Sequence, residues 1–202
     1  MSLERLRRTT RRSVCLALLL APVVALAAQP GKAPLPSDSI YQLPLRLTDQ
    51  DGRSWDWRAR RGKPQVVAMF YTSCQYICPL IVESGKAVER GLAPNQRSRV
   101  GLLLISMDPA RDTPAALKEV VAARRLDTGR WALASPPAGS VRSVAGVLGV
   151  RYRQLADGEF NHTSALVLVD AEGRVVARTE KVGSLVDPEF IAAVRAAVAG
   201  PD

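Results

Sequence analysis

Val66-Val67-Ala68-Met69-Phe70-Tyr71-Thr72-Ser73-Cys74-Gln75-Tyr76-Ile77-Cys78-Pro79 decides how the rest of this chain is read. A continuous apolar, β-prone run from Gln65 to Tyr71 reads as a buried strand, because a strand covered on both faces need not alternate. Two polar residues and two cysteines follow, and then a helical segment from Leu80 to about Leu92. Pro79 suits a helix start, where the first-turn N–H groups have no intrahelical partner to lose. A thiol loop that opens a helix meets the positive end of the helix dipole, which favours the thiolate. The two sulfurs then have three possible uses: holding a metal, exchanging disulfides, or stapling the chain.

Outward from this loop, strands and helices alternate. Upstream, Leu43 to Thr48 and Ser54 to Trp57 flank Asp51-Gly52 and predict a β-hairpin. Downstream, Val100 to Met107 is a second continuous apolar run and so a second central strand. Asp108-Pro109 ends it, and Thr113-Pro114 reads as an N-cap and first helical residue for a helix from Ala115 to about Arg125. A short strand is expected at Trp131 to Leu133. A helix carrying Val141, Val144, Ala145 and Leu148 on one face should end at Gly149. Tyr152 to Leu155 and Thr163 to Val169 read as strands around the Asp157-Gly158 turn, followed by a strand at Val175 to Thr179 and a helix from Asp187-Pro188 to about Ala199. This order is that of an α/β, thioredoxin-like mixed sheet flanked by helices, with an extra N-terminal β-hairpin.

The N-terminus has a different composition. Arg5, Arg7, Arg8, Arg11 and Arg12 stand against Glu4 alone, a surplus of +4 within a chain of formal charge +9. An uncharged run from Val14 to Ala28 follows and ends in Ala25-Leu26-Ala27-Ala28, the layout of a secretory signal peptide over residues 1–28. An uncleaved membrane tether through residues 14–28 is the alternative, although the run is short of the ~20 residues that span a bilayer. Residues 29–42 read as a linker and residues 43–200 as the folded domain. The chain is therefore expected to be exported or periplasmic, soluble after cleavage or anchored in the inner membrane. The remaining positive charge is scattered among carboxylates, and aromatics make up only 5% of the chain, so nucleic acid is not the expected partner.

Removing the signal also removes Cys15, leaving Cys74 and Cys78 in an oxidising compartment. A bridge between them would close a very small loop and restrain the unfolded chain little, which argues for chemistry over stapling. With three residues between them, the sulfurs can face a single soft metal ion. His162 is the sole histidine of the chain. It is either an ordinary loop residue or a third ligand, since the loop entering its strand lies beside the thiol loop in a thioredoxin-like sheet. Two thiols and one imidazole with an open position suit copper better than a four-ligand structural zinc site. Met69 and Met107 read as packing residues, as do Trp55 and Trp57. Asp108, Arg111 and Asp112 read as a turn and helix cap that could also orient the thiol loop or meet a partner. Tyr71 and Tyr76 could shield the sulfurs from solvent.

Three segments together carry a family resemblance. Cys74-x-x-x-Cys78-Pro79 after Phe70-Tyr71-Thr72 resembles the copper-binding loop of the Sco/SenC family. Ile105-Ser106-Met107-Asp108-Pro109-Ala110-Arg111-Asp112-Thr113-Pro114 is similar to its S-x-D-P-x-R-D-T-P segment, and His162-Thr163-Ser164 with Asp170-Ala171-Glu172-Gly173 is similar to its histidine region. The resemblance runs from about Leu43 to Ala199. It implies one copper ion per chain, as Cu(I) or Cu(II), held by Cys74, Cys78 and His162. It also implies a role in assembling the binuclear copper site of cytochrome c oxidase, by delivering copper, reducing the client's thiols, or both. A periplasmic copper donor and a thiol reductant are implied as further partners. In that picture a Cys74–Cys78 redox pair would switch binding off when oxidised. Gln75-Tyr76-Ile77 departs from the family's usual loop insert, and Asn161 stands where Asp is frequent, which leaves the ligands in place but opens the client to another cuproenzyme. The rival reading is a metal-free thiol-disulfide oxidoreductase of thioredoxin-like type, which has no need of His162. A binuclear electron-transfer copper domain would need a further histidine after Cys78, and none follows closely.

Overall fold

A computed structural model describes residues 34–74, 77–185 and 187–199, with the backbone alone at Ile77. The signal-peptide reading of residues 1–28 and the shielding role suggested for Tyr76 lie outside the described residues. In chain order the elements are β1 (Arg46–Asp49), β2 (Ser54–Asp56), β3 (Gln65–Phe70), α1 (Ile77–Gly91), α2 (Pro94–Arg97), β4 (Gly101–Ser106), α3 (Pro114–Arg124), β5 (Trp131–Ser135), α4 (Val141–Val147), β6 (Tyr152–Gln154), β7 (Phe160–His162), β8 (Leu166–Val169), β9 (Val175–Thr179) and α5 (Pro188–Ala199).

The seven-stranded sheet runs β2-β1-β5-β4-β3-β8-β9. The two continuous apolar segments became its centre: every residue of β3 and β4 is buried, and the strands pair in parallel from Gln65↔Gly101 to Phe70↔Ser106. Strand β5 adds in parallel to β4, while β8 runs antiparallel to β3 with Val67 opposite Val167. This mixed sheet with helices packed against it is the thioredoxin-like arrangement read from the element order, and β1–β2 is the expected N-terminal hairpin. Gly52 supplies the left-handed turn residue of that hairpin (φ 75°).

Packing explains the element faces. Trp57 and Trp131 are fully buried, and the Trp57 indole N–H donates to the Leu43 carbonyl at 2.8 Å. Gly85 lets α1 lie directly on Trp131, since a β-carbon there would fall 2.3 Å from the indole ring. Met69 and Met107 are buried in the core, as packing residues should be.

Four details differ from the sequence reading. The helix after the thiol loop starts at Ile77, so Cys78 and Pro79 lie inside its first turn. Pro94–Arg97, between the first helix and the second central strand, closes one short helical turn that the sequence reading does not include. The packed chain extends back past Leu43 into the stretch read as linker: Ile40 and Tyr41 are buried, and Ser39 bridges to Arg174. Most consequentially, Tyr152–Gln154 pairs with Phe160–His162 in a separate two-stranded ribbon, and the main-sheet strand begins only at Leu166. The polar Thr163 and Ser164 give a core strand nothing to bury. The Thr163 N–H instead donates to the Arg151 carbonyl, closing the ribbon before the chain enters the sheet.

Candidate metal centre

Topology brings both halves of the candidate site to one edge of the sheet. Strand β3 delivers Tyr71 to Cys74 at its C-terminal end. Because β8 is antiparallel to β3, the residues entering β8 arrive at that same edge. Cys74 and Cys78 are 8% and 5% exposed and are not joined by a disulfide. The Cys78 N–H points at Cys74 Sγ (3.4 Å), and the Tyr71 N–H points at Cys78 Sγ (3.4 Å). The loop therefore turns both sulfurs into one small cavity of about 60 Å³, bordered by Phe70, Tyr71, Thr72, Pro79, Val82, Val120 and Arg124. That volume suits an ion or one or two waters and excludes an organic substrate.

Burial changes the expected acidity. Desolvation pushes the Cys78 thiol well above its ordinary range; the Tyr71 N–H opposes this, while Cys74 and Asp112 add to it. Burial at Cys78 thus works against the ready thiolate that a helix start favours. A cation entering the cavity must displace a proton, so occupancy there rises with pH.

Asp112 anchors the thiol loop. The parallel register places Ser106 beside Phe70, and the turn after β4 carries Asp112 under the loop. Its Oδ1 accepts the Thr72 N–H (3.0 Å) and the Thr72 hydroxyl (2.6 Å), and its Oδ2 accepts the Ser106 hydroxyl at 2.5 Å. Burial raises the Asp112 pKa, and the Ser106 and Thr72 hydrogen bonds hold it back. Of the charged cluster singled out in the sequence, Asp112 thus orients the loop, while Arg111 pairs with Asp108 and donates to the Gly158 carbonyl at 2.6 Å.

His162 ends β7, opposite Tyr152. Its Nδ1 lies 3.2 Å from the Thr163 carbonyl, a contact that takes the proton on Nδ1 and leaves the Nε2 lone pair free. Nε2 is buried with no hydrogen-bond partner among the described residues. Desolvation holds the imidazole below its ordinary pKa against the Thr163 contact, so it is neutral at pH 7. A neutral imidazole with its back nitrogen tied to a carbonyl and its front nitrogen unspent has the electronic form of a metal ligand.

Tyr71 stands between the two halves. Its ring meets His162 edge-on (5.9 Å between centroids) and Phe160 at 5.1 Å. Its hydroxyl donates to Glu159 Oε2 at 2.8 Å and shares a hydrogen bond with Cys74. Cys74 and Cys78 are thus brought together, but His162 is across the phenol ring from them. Among the described residues no three His, Cys, Asp or Glu side chains are close enough to hold a metal. The chemistry of the donor set still fits a soft cation: two thiols in one cavity, and a buried imidazole nitrogen without a partner. The Tyr71–Glu159 link was not legible in the sequence, where Glu159 was one of many surface carboxylates.

The chain is thus a thioredoxin-like domain with two free thiols at a helix start and a histidine arriving at the same sheet edge. A family model, SCO1/SenC, matches residues 35–199, and the chain belongs to that family. A protein of Stutzerimonas stutzeri named for copper binding is 32% identical over 117 residues, covering 54% of this chain and 57% of that protein. A SCO2-like protein of Rickettsia typhi is 33% identical over 77 residues, covering 38% of this chain and 37% of that protein. The matched stretch thus spans less than two thirds of these curated relatives. The solved structure of Bradyrhizobium japonicum ScoI with copper bound is 27% identical, with a TM-score of 0.64, covering 76% of this chain and 97% of that one.

Proposed function

We propose that this chain is an exported copper-binding metallochaperone in which Cys74, Cys78 and His162 hold one copper ion for a respiratory copper centre. The client that best fits the family resemblance is the binuclear copper site of cytochrome c oxidase. The observation that carries this reading is the buried, partnerless Nε2 of His162. Simple disulfide exchange has no use for such an atom, whereas a soft metal shared with two thiols explains why its desolvation is tolerated. Copper is cargo here, taken from a periplasmic donor and handed on by exchange of thiol and imidazole ligands. Cys74 and Cys78 are also a redox-active pair: with both sulfurs oxidised to a disulfide the thiolates are gone, and a thiol reductant must restore them. Export through residues 1–28 belongs to the same proposal; among the described residues no helix is long and apolar enough to cross a membrane.

The test is copper titration of the reduced chain alongside His162→Ala. Copper(II) should develop an intense sulfur-to-copper absorption that saturates at one equivalent, and the variant should lose or shift it and bind copper(I) at least about tenfold more weakly. Absence of copper binding together with catalytic disulfide reduction would replace this reading with the metal-free reductase.

A further inference from the structure

The arginines of this chain are mostly committed. Arg61 pairs with Glu172, Arg111 with Asp108, Arg130 with Glu89, Arg174 with Asp38 and Arg178 with Glu180. Arg58, Arg99 and Arg195 donate to backbone carbonyls. Arg142, Arg151 and Arg153 are not committed: all three are exposed and, unlike the equally uncommitted Arg53, Arg124 and Arg125, they line one depression. Among the described residues none of them has a side-chain hydrogen bond or ion pair.

These three arginines share one groove. Residues of α4 and β6 line a depression of about 580 Å³ containing Arg142, Arg151 and Arg153 together with Ala145, Val150 and the half-buried Tyr152. No carboxylate lines it. Past Arg151, Tyr152 and Arg153 a second depression of about 550 Å³ reaches His162 itself. The single acid on that wall, Glu180, is already engaged by Arg178.

Three uncompensated cations gathered in one groove repel each other and contribute no contact to the fold. Guanidinium groups bind carboxylates in paired hydrogen bonds, which ammonium groups cannot do. The aromatic floor adds the apolar contact that interfaces place between such pairs. We propose that this groove docks an acidic segment of the protein that receives the copper, seating that partner beside His162. The proposal deepens the copper-carrier reading and rests on it for the identity of the partner.

The experiment uses the full chain and a fluorescein-labelled peptide of alternating Glu and Asp, with fluorescence anisotropy at several salt concentrations. Arg142→Gln/Arg151→Gln/Arg153→Gln should weaken peptide binding about tenfold or more. Arg53→Gln/Lys118→Gln/Arg125→Gln, which removes the same charge from other elements, should change it less than about twofold. Should the groove triple not fold, the single variants carry the test, each expected to weaken binding about threefold. Equal loss in the groove and control triples would reduce the effect to net charge and overturn the proposal. Groove-dependent binding of phosphatidylglycerol vesicles without peptide binding would overturn it too, in favour of a membrane surface. Copper titration of the unaltered chain separates the two layers: groove-specific peptide binding in a chain that binds no copper keeps the groove and removes the copper carrier.

Discussion

The thiol loop and the histidine ribbon occupy the same edge of the sheet but are rooted in different ways. Cys74 and Cys78 hang from the central parallel strands, and Asp112, Thr72 and Ser106 satisfy one another beneath them. His162 belongs to a two-stranded ribbon outside the main sheet. That ribbon is held to the thiol side by the Tyr71–Glu159 and Arg111–Gly158 contacts, and its histidine keeps a buried nitrogen unspent. The sulfur half is thus finished as structure, with its polar groups paired. The imidazole half carries a cost that folding alone does not repay. Such asymmetry fits the proposed copper carrier, which would keep soft donors in place yet release its cargo.

Each prediction breaks one side of this contrast. Asp112→Ala should be the most damaging, because it takes the acceptor from the buried Ser106 hydroxyl and from the N–H and hydroxyl of the half-buried Thr72. Urea unfolding should show a loss of about 3 kcal/mol, and copper binding should weaken because the loop loses its anchor. Gly85→Ala strikes the same side through packing: its methyl group would press on Trp131, for a loss of about 2 kcal/mol in the same assay. Retained stability in either variant would mean the thiol loop is less firmly rooted than described here. Tyr71→Phe tests the junction. It removes the hydroxyl bound to Glu159 and Cys74 but keeps the ring against His162, and should cost about 1 kcal/mol.

The smallest effect is a pH dependence confined to the ribbon. Burial lowers the folded-state pKa of His162, so the unfolded chain takes up a proton first as pH falls. The stability associated with the neutral ring is present above the unfolded pKa of about 6.5 and is lost as pH falls through it toward the folded value. Denaturant midpoints between pH 8 and pH 5 should therefore fall less steeply in His162→Gln than in the parent. Equal slopes would contradict a desolvated imidazole.

The parts of this architecture that were legible in the sequence are those fixed by local chemistry. Two continuous apolar runs gave β3 and β4, Asp51-Gly52 gave the hairpin, and Thr113-Pro114 gave the start of α3, where the Thr113 hydroxyl accepts the Ala116 N–H. The cysteines and the histidine stood out through residue type and spacing. Long-range partners were not legible. Nothing local says that Glu159 meets a tyrosine 88 residues away, or that Thr72 meets a carboxylate 40 residues on. From sequence the strand after the Asp157-Gly158 turn is expected to start at Thr163, because Thr163 and Ser164 fit a strand by propensity; only the pairing of Tyr152 with His162 shows Phe160–His162 as a strand of its own. Acidity was misjudged at Cys78 because a helix start is visible in sequence while the depth of burial is not.

X-ray absorption at the copper edge of the reduced, copper(I)-loaded chain tests the central claim most directly. The account predicts a shell of two sulfurs and one imidazole nitrogen, with the nitrogen contribution gone in His162→Ala. A shell of sulfur alone, unchanged by that substitution, would contradict it: His162 would then be a buried ribbon residue, and the two halves of the sheet edge would not form one site.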